Sequence, residues 1–137
     1  MAAIEVLGID HVVIRAADPE AMIGFYRDVL GCDVERRVDD LGLIQLRAGR
    51  ALIDLVDVAG ALGQQGGAAP GREGRNMDHL CLRIAELDEA ALRAHLAAHG
   101  IDAGELATRY GAEGQGPSLY IQDPEGNTVE LKGPPGA

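Results

Sequence analysis

The chain has 137 residues, 47% of them hydrophobic, and a net charge of −10. That is enough apolar material for one domain with a true core and too little for two independent ones. The acidic balance, with a pI near 4.7, argues against nucleic acid or an anionic membrane as partner, since both favour a basic face.

The first residues, "MAAIEVLGID", lack the basic start and apolar run of a signal peptide. No stretch approaches the ~18 apolar residues of a membrane span. The expected setting is therefore the cytoplasm.

In chain order, "IDHVVIR" (9–15) alternates as a strand does. "AADPEAMIGFYRDVLG" (16–31) reads as a helix with Asp18 as N-cap, Pro19 in the first turn and Gly31 past the end. A weaker strand is expected near 33–38. Two apolar runs around the turn "AGR" follow in "LGLIQLRAGRALIDLVD" (41–57). The Gly-, Ala- and Gln-rich stretch 58–76 reads as a long connection. "MDHLCLR" (77–83) is a second strand of the opening type. A second helix is predicted over 84–100, closed by Gly100, and a weak strand near 103–109. Two runs then flank the turn "DPEGN" in "PSLYIQDPEGNTVELKG" (117–133). The final "GPPGA" is expected to be a frayed tail.

The two halves repeat. Asp, His and Arg stand at matching places in "IDHVVIR" and "MDHLCLR", and His-to-Gly spacings are 20 residues (11 to 31) and 21 residues (79 to 100). The predicted architecture is α+β, with two tandem βαβββ modules at about 7–57 and 77–133 within one domain, 1–137. Strand alternation places His11 with Val13 and Arg15, and His79 with Cys81 and Arg83. It groups Thr128, Glu130 and Lys132, the only lysine in the chain, on one polar face. With the apolar faces against the helices, the modules form a curved mixed sheet, an incomplete barrel. Its cavity collects His11, Asp54, His79 and Glu130, the same two places in each repeat. Two imidazoles and two carboxylates are the donors a divalent cation takes, and burying carboxylates is costly unless a positive charge neutralises them.

The paired "DHV" and "DHL" strands, "FYRDVLG" (25–31) and "YIQDPEGNTVEL" (120–131) resemble the vicinal oxygen chelate superfamily, over roughly residues 5–133. That superfamily includes glyoxalase I, extradiol dioxygenases and bleomycin resistance proteins. The resemblance implies that His11, His79 and Glu130 occupy metal-ligand positions. Asp54 occupies the fourth, where the family's glyoxalase and epimerase branches carry Glu or Gln. Asp is one methylene shorter; it is expected as a direct ligand, the alternatives being that it falls short of the ion or reaches it through water. The implied cofactor is one divalent ion, Ni, Zn, Mn, Co or Fe. The implied activity is a glyoxalase I-like lyase or isomerase, with Glu130 and Asp54 as the catalytic carboxylates. If Asp54 stands aside, two His and one carboxylate give an Fe(II) dioxygenase instead. A drug-binding resistance protein is the third reading.

A small-molecule substrate is expected, with Arg109, Tyr110 and Tyr120 as its contacts. Arg109 and Tyr110 sit in "TRYGAEGQGPS" (108–118), read here as a Gly-rich loop. The family habit of dimerising makes a homodimer the expected assembly. Cys32 and Cys81 are expected to be reduced core thiols. His95 and His99 share a helix face with Leu92 and Leu96 and are expected to be structural.

Overall fold

The computed structural model describes residues 3–136. The chain divides into two compact units between Ala69 and Pro70. Each is a βαβββ module with its own four-stranded mixed sheet, so the tandem repeat and the α+β class are both present.

In the first module, β1 (His11–Ala16) leads to α1 (Pro19–Gly24), then to β2 (Val34–Val38), β3 (Leu43–Ala48) and β4 (Ala51–Asp57). The sheet order is β1-β4-β3-β2. The β1–β4 pair is parallel and the others antiparallel, because a parallel neighbour needs a crossover and a hairpin does not. Asp18 caps α1, its carboxylate accepting the Ala21 N–H at 3.2 Å, a bond worth about 1 kcal/mol. The expected helix 16–31 is shorter and changes pitch. Over Phe25–Val29 it widens into a π turn, in which the Leu30 N–H reaches the Phe25 carbonyl at 3.3 Å. Gly31, at φ 76°, ends it. Tyr26, Met22, Leu46, Ile53 and Leu55 are fully buried. At about 1.5–3 kcal/mol per large apolar side chain, these residues account for much of the module's stability.

The connection is not a slack link. It makes a 3-10 turn over Gly63–Gly66. Arg15 grips it, donating to the carbonyls of Gly63 at 3.0 Å, Gly67 at 2.7 Å and Ala68 at 3.0 Å. Gly63 packs so closely that a Cβ there would lie 1.9 Å from the Asp57 carbonyl oxygen.

The second module has β5 (Leu80–Arg83), α2 (Glu89–Ala98), β6 (Ala107–Gly111), β7 (Gly114–Gln122) and β8 (Thr128–Lys132). Its order, β5-β8-β7-β6, repeats the first. Helix α2 starts later than predicted because Asp88 caps it at Ala91 N–H, 3.1 Å. Residues before the cap continue the sheet instead, with the Ile84 N–H on the Lys132 carbonyl at 2.9 Å.

Two further expectations are corrected. "TRYGAEGQGPS" is not a loop but most of the β6–β7 hairpin, which turns between Gly111 and Gly114; Gly114 at φ 103° supplies the angle a tight turn needs. The tail is not frayed up to Gly136, since the Gly133 N–H donates to Pro117 at 2.9 Å and the Gly136 N–H to Gln115 at 3.0 Å. Ala137 lies outside the described residues. "DPEGN" is a structural turn: the buried Asp123 carboxylate accepts from the Asn127 N–H at 2.9 Å and from its side-chain amide at 2.8 Å.

Among the described residues, no helix is long and apolar enough to cross a membrane.

Candidate functional site

Each sheet carries one imidazole–carboxylate pair at equivalent positions. Asp54 lies in mid-β4, in register with Val13 on one side and Gln45 on the other. Glu130 lies in β8, in register with Cys81 and Tyr120. His11 opens β1, and His79 immediately precedes β5. Both carboxylates are buried, Asp54 4% and Glu130 5% exposed, while both rings keep one edge open.

Local sequence orients the rings. His11 Nδ1 is 2.6 Å from the Asp10 carboxylate, and His79 Nδ1 is 2.7 Å from that of Asp78. In each ring Nδ1 thus faces the carboxylate of the preceding Asp, and Nε2 faces the cross-strand carboxylate. The Asp10 hydrogen bond, aided by the charge of Asp54, raises the His11 pKa above its ordinary value. The hydrogen bond to His79, with its charge, lowers that of Asp78.

The two pairs are not equivalent in reach. His79 Nε2 is 3.2 Å from Glu130 Oε1. His11 Nε2 is 3.9 Å from Asp54 Oδ2. The missing methylene of Asp54 is made up by Gln45, whose amide donates to Oδ1 at 3.3 Å and to Oδ2 at 3.2 Å. Arg36 holds that amide by its oxygen at 3.1 Å.

Around Glu130, the Tyr120 ring stands edge-on to His79 with centroids 5.5 Å apart. The Arg109 guanidinium covers the Tyr120 ring at 4.6 Å and donates to Ser118 Oγ at 3.0 Å. Burial first, and then the charge of Glu130, raise the Tyr120 phenol above its usual pKa. Tyr110 is on the opposite parity of β6 and is 78% exposed.

Cys81 overturns its expectation. Cys32 is a buried core thiol, but Cys81 is exposed, on the His79 face beside Glu130. Burial of the thiol and the neighbouring Glu130 raise its pKa. Strand parity alone identifies that face, since His79 and Cys81 are two residues apart. Gln45 had no signal of its own in the sequence; only its register with Asp54 reveals it. His95, on α2, and His99, its C-cap, are exposed with ring centroids 5.0 Å apart.

Among the described residues, no group of three or more His, Cys, Asp or Glu side chains is clustered as a metal site. The donors that do meet are chemically suited to a divalent ion. Each module offers an imidazole Nε2 and a buried carboxylate, with Nδ1 already held by a second carboxylate in the manner of metal-bound histidines.

Beside each pair lies a pocket. The first module's, about 310 Å³, is lined by Val13, Arg15, Asp54 and Leu62 among others. The second module's, about 280 Å³, is lined by His79, Cys81, Arg83, Glu130 and Lys132 among others.

Comparison with known proteins agrees with this architecture. No protein of curated function matches the chain. A virulence protein from Salmonella typhimurium has a similar structure, with TM-score 0.78 and 24% identity, covering 95% of this chain and 98% of that one. An integron cassette protein from the mobile metagenome of V. cholerae gives TM-score 0.73 and 24% identity, covering 96% and 98%. A lactoylglutathione lyase from Agrobacterium tumefaciens gives 0.68 and 24%, covering 94% and 95%. At these identities the likeness concerns the fold. The family model matches residues 8–131, nearly the whole chain, and on that match the protein belongs to the glyoxalase/bleomycin resistance protein/dioxygenase superfamily.

Proposed function

We propose that this protein is a divalent-metal-dependent enzyme of the glyoxalase I kind, a lyase or isomerase that moves a proton on the carbon next to a carbonyl. His11, Asp54, His79 and Glu130 would hold the ion, and a cytoplasmic homodimer is the working assembly. The observation that carries this reading is the repeated unit of Asp, oriented His and buried carboxylate. One such unit is a common structural hydrogen bond, whereas its repetition at equivalent positions of both modules supports a shared role as ligands.

When bound, the ion supplies Lewis acidity to substrate oxygens. The remaining work falls to this chain's own side chains. Glu130, buried between Tyr120 and Cys81 in the strand register, accepts a proton at Oε1. Asp54 is the second candidate base, tethered by Gln45. Arg109, Tyr110 and Tyr120 contact the substrate, with Arg109 held by Ser118 and stacked on Tyr120.

The Gln45–Asp54 hydrogen bonds favour one second reading. If Asp54 stays with Gln45, the ligands left are two imidazoles and Glu130, the donor set of non-haem Fe(II) oxygenases, and the reaction becomes extradiol ring cleavage. Elemental analysis of the purified protein, with turnover assays on methylglyoxal–glutathione hemithioacetal and on catechols after anaerobic Fe(II) loading, decides between them. Turnover of the hemithioacetal alone supports proton transfer. Ring cleavage alone supports the second reading, and inactivity on both with no bound metal contradicts both.

A further inference from the structure

The chain's only lysine is buried. Lys132 is 7% exposed, although lysine is among the residues least often buried without a counter-charge. Its ammonium carries three donors. Among the described residues it makes one hydrogen bond, to the Arg109 carbonyl at 2.7 Å, and no carboxylate lies within ion-pair distance of it. Of the other groups lining the pocket beside it, Arg83 pairs with Glu113 at 2.8 Å, and Glu130 Oε1 lies 3.2 Å from His79 Nε2. Among the described residues, Lys132 is the cation lining that pocket with no carboxylate within ion-pair distance.

The fold makes room for this side chain. A Cβ on Gly111 would lie 2.6 Å from Lys132 Cε, and one on Gly116 would lie 3.0 Å from Nζ. Two glycines on facing strands thus form the channel in which the lysine lies, so its burial is built into the β6–β7 hairpin. A buried ammonium whose one hydrogen bond among the described residues goes to a neutral carbonyl has its desolvation cost offset only in part. An oxyanion entering the pocket offsets that cost and uses the remaining donors.

We propose that the second module's pocket binds the oxyanion end, carboxylate or phosphate, of a small-molecule substrate, with Lys132 as its anchor, next to the His79–Glu130 pair. As a statement about the enzyme's substrate this rests on the function proposed above. As a binding site it is testable without any metal.

Because Lys132 is the only lysine, protein grown on lysine labelled with ¹³C at Cε gives one lysine signal. The chelator-treated full chain is titrated separately with inorganic phosphate and with acetate, against sodium chloride at equal ionic strength. The expected result is a saturable shift with at least one of them. Phosphate alone assigns a phosphorylated substrate end and acetate alone a carboxylate end. Lys132→Met is expected to bind the same anion at least tenfold more weakly by calorimetry, with Lys132→Arg keeping part of the affinity. His79→Ala is expected to keep the lysine shift, so loss of the metal site leaves this result intact. A signal that moves no further with either anion than with chloride overturns the proposal, and needs no variant to fold.

Discussion

His79 Nε2 stands 3.2 Å from Oε1 of Glu130, close enough for one ion or one proton to bridge the two groups. The equivalent pair in the first module, His11 and Asp54, is held apart at 3.9 Å by a shorter side chain that Gln45 has claimed. The two carboxylates are therefore expected to matter unequally. Glu130→Gln should weaken divalent-metal binding by about 100-fold or more, the upper end of what even an outer partner of a metal ligand is worth. Asp54→Asn should cost about 10-fold, the lower end of that range. Asp54→Glu, restoring the methylene, should bind more tightly than wild type. Metal titration of the three variants checks the ranking.

Protonation of His11 should report on Asp10. The ring's pKa is raised chiefly by the Asp10 hydrogen bond and secondarily by the charge of Asp54. In the metal-free protein, Asp10→Asn should lower it more than Asp54→Asn does, read from the ring proton shifts by NMR. A pKa raised in the folded state means that the folded chain holds the proton more tightly. Its stabilisation is complete below the unfolded value and fades as pH rises through the folded one. Since metal binds the neutral imidazole, Asp10→Asn should also let the ion bind at lower pH.

Cys81 is exposed yet sluggish by this account. Burial of the thiol and the adjacent Glu130 carboxylate both raise its pKa, so thiolate forms only at higher pH than in a free cysteine. Iodoacetamide labelling should be slow at neutral pH and rise steeply in alkaline buffer. Glu130→Gln should move that rise partway back, because burial is the larger cause and remains.

Gly63→Ala tests the grip of Arg15's loop on the first module. The added methyl would overlap the Asp57 carbonyl, 1.9 Å away, and the backbone must move to admit it. A loss of about 1–3 kcal/mol is expected, as for other overpacked sites, measured by denaturant unfolding. Proteolysis between residues 63 and 69 should quicken in parallel.

The features of this fold legible in the sequence are those with local causes. Asp18 and Asp88 cap their helices, Gly31 and Gly100 end them, and "AGR" and "DPEGN" close hairpins. Each signal acts within a few residues. The repeated Asp-His pair was legible for the same reason, since the aspartate that orients each ring is its sequence neighbour. What escaped depends on register. Gln45 matters only because β3 lies one strand from Asp54. The hairpin at "TRYGAEGQGPS" hides behind glycines that suggest a loop, although Gly111 and Gly116 are there to admit Lys132. Cys81 reads as a core residue because its neighbours Leu80 and Leu82 are apolar, whereas its own side chain points the other way, with His79.

In the proposed site one divalent ion draws on an imidazole from each module. Titrating chelator-stripped protein with Co(II), and counting bound metal per chain after dialysis, tests it most directly. Wild type is expected to hold one Co(II) per chain, and both His11→Ala and His79→Ala to lose that ion. Either variant holding Co(II) as wild type does, while folded by circular dichroism, would contradict it.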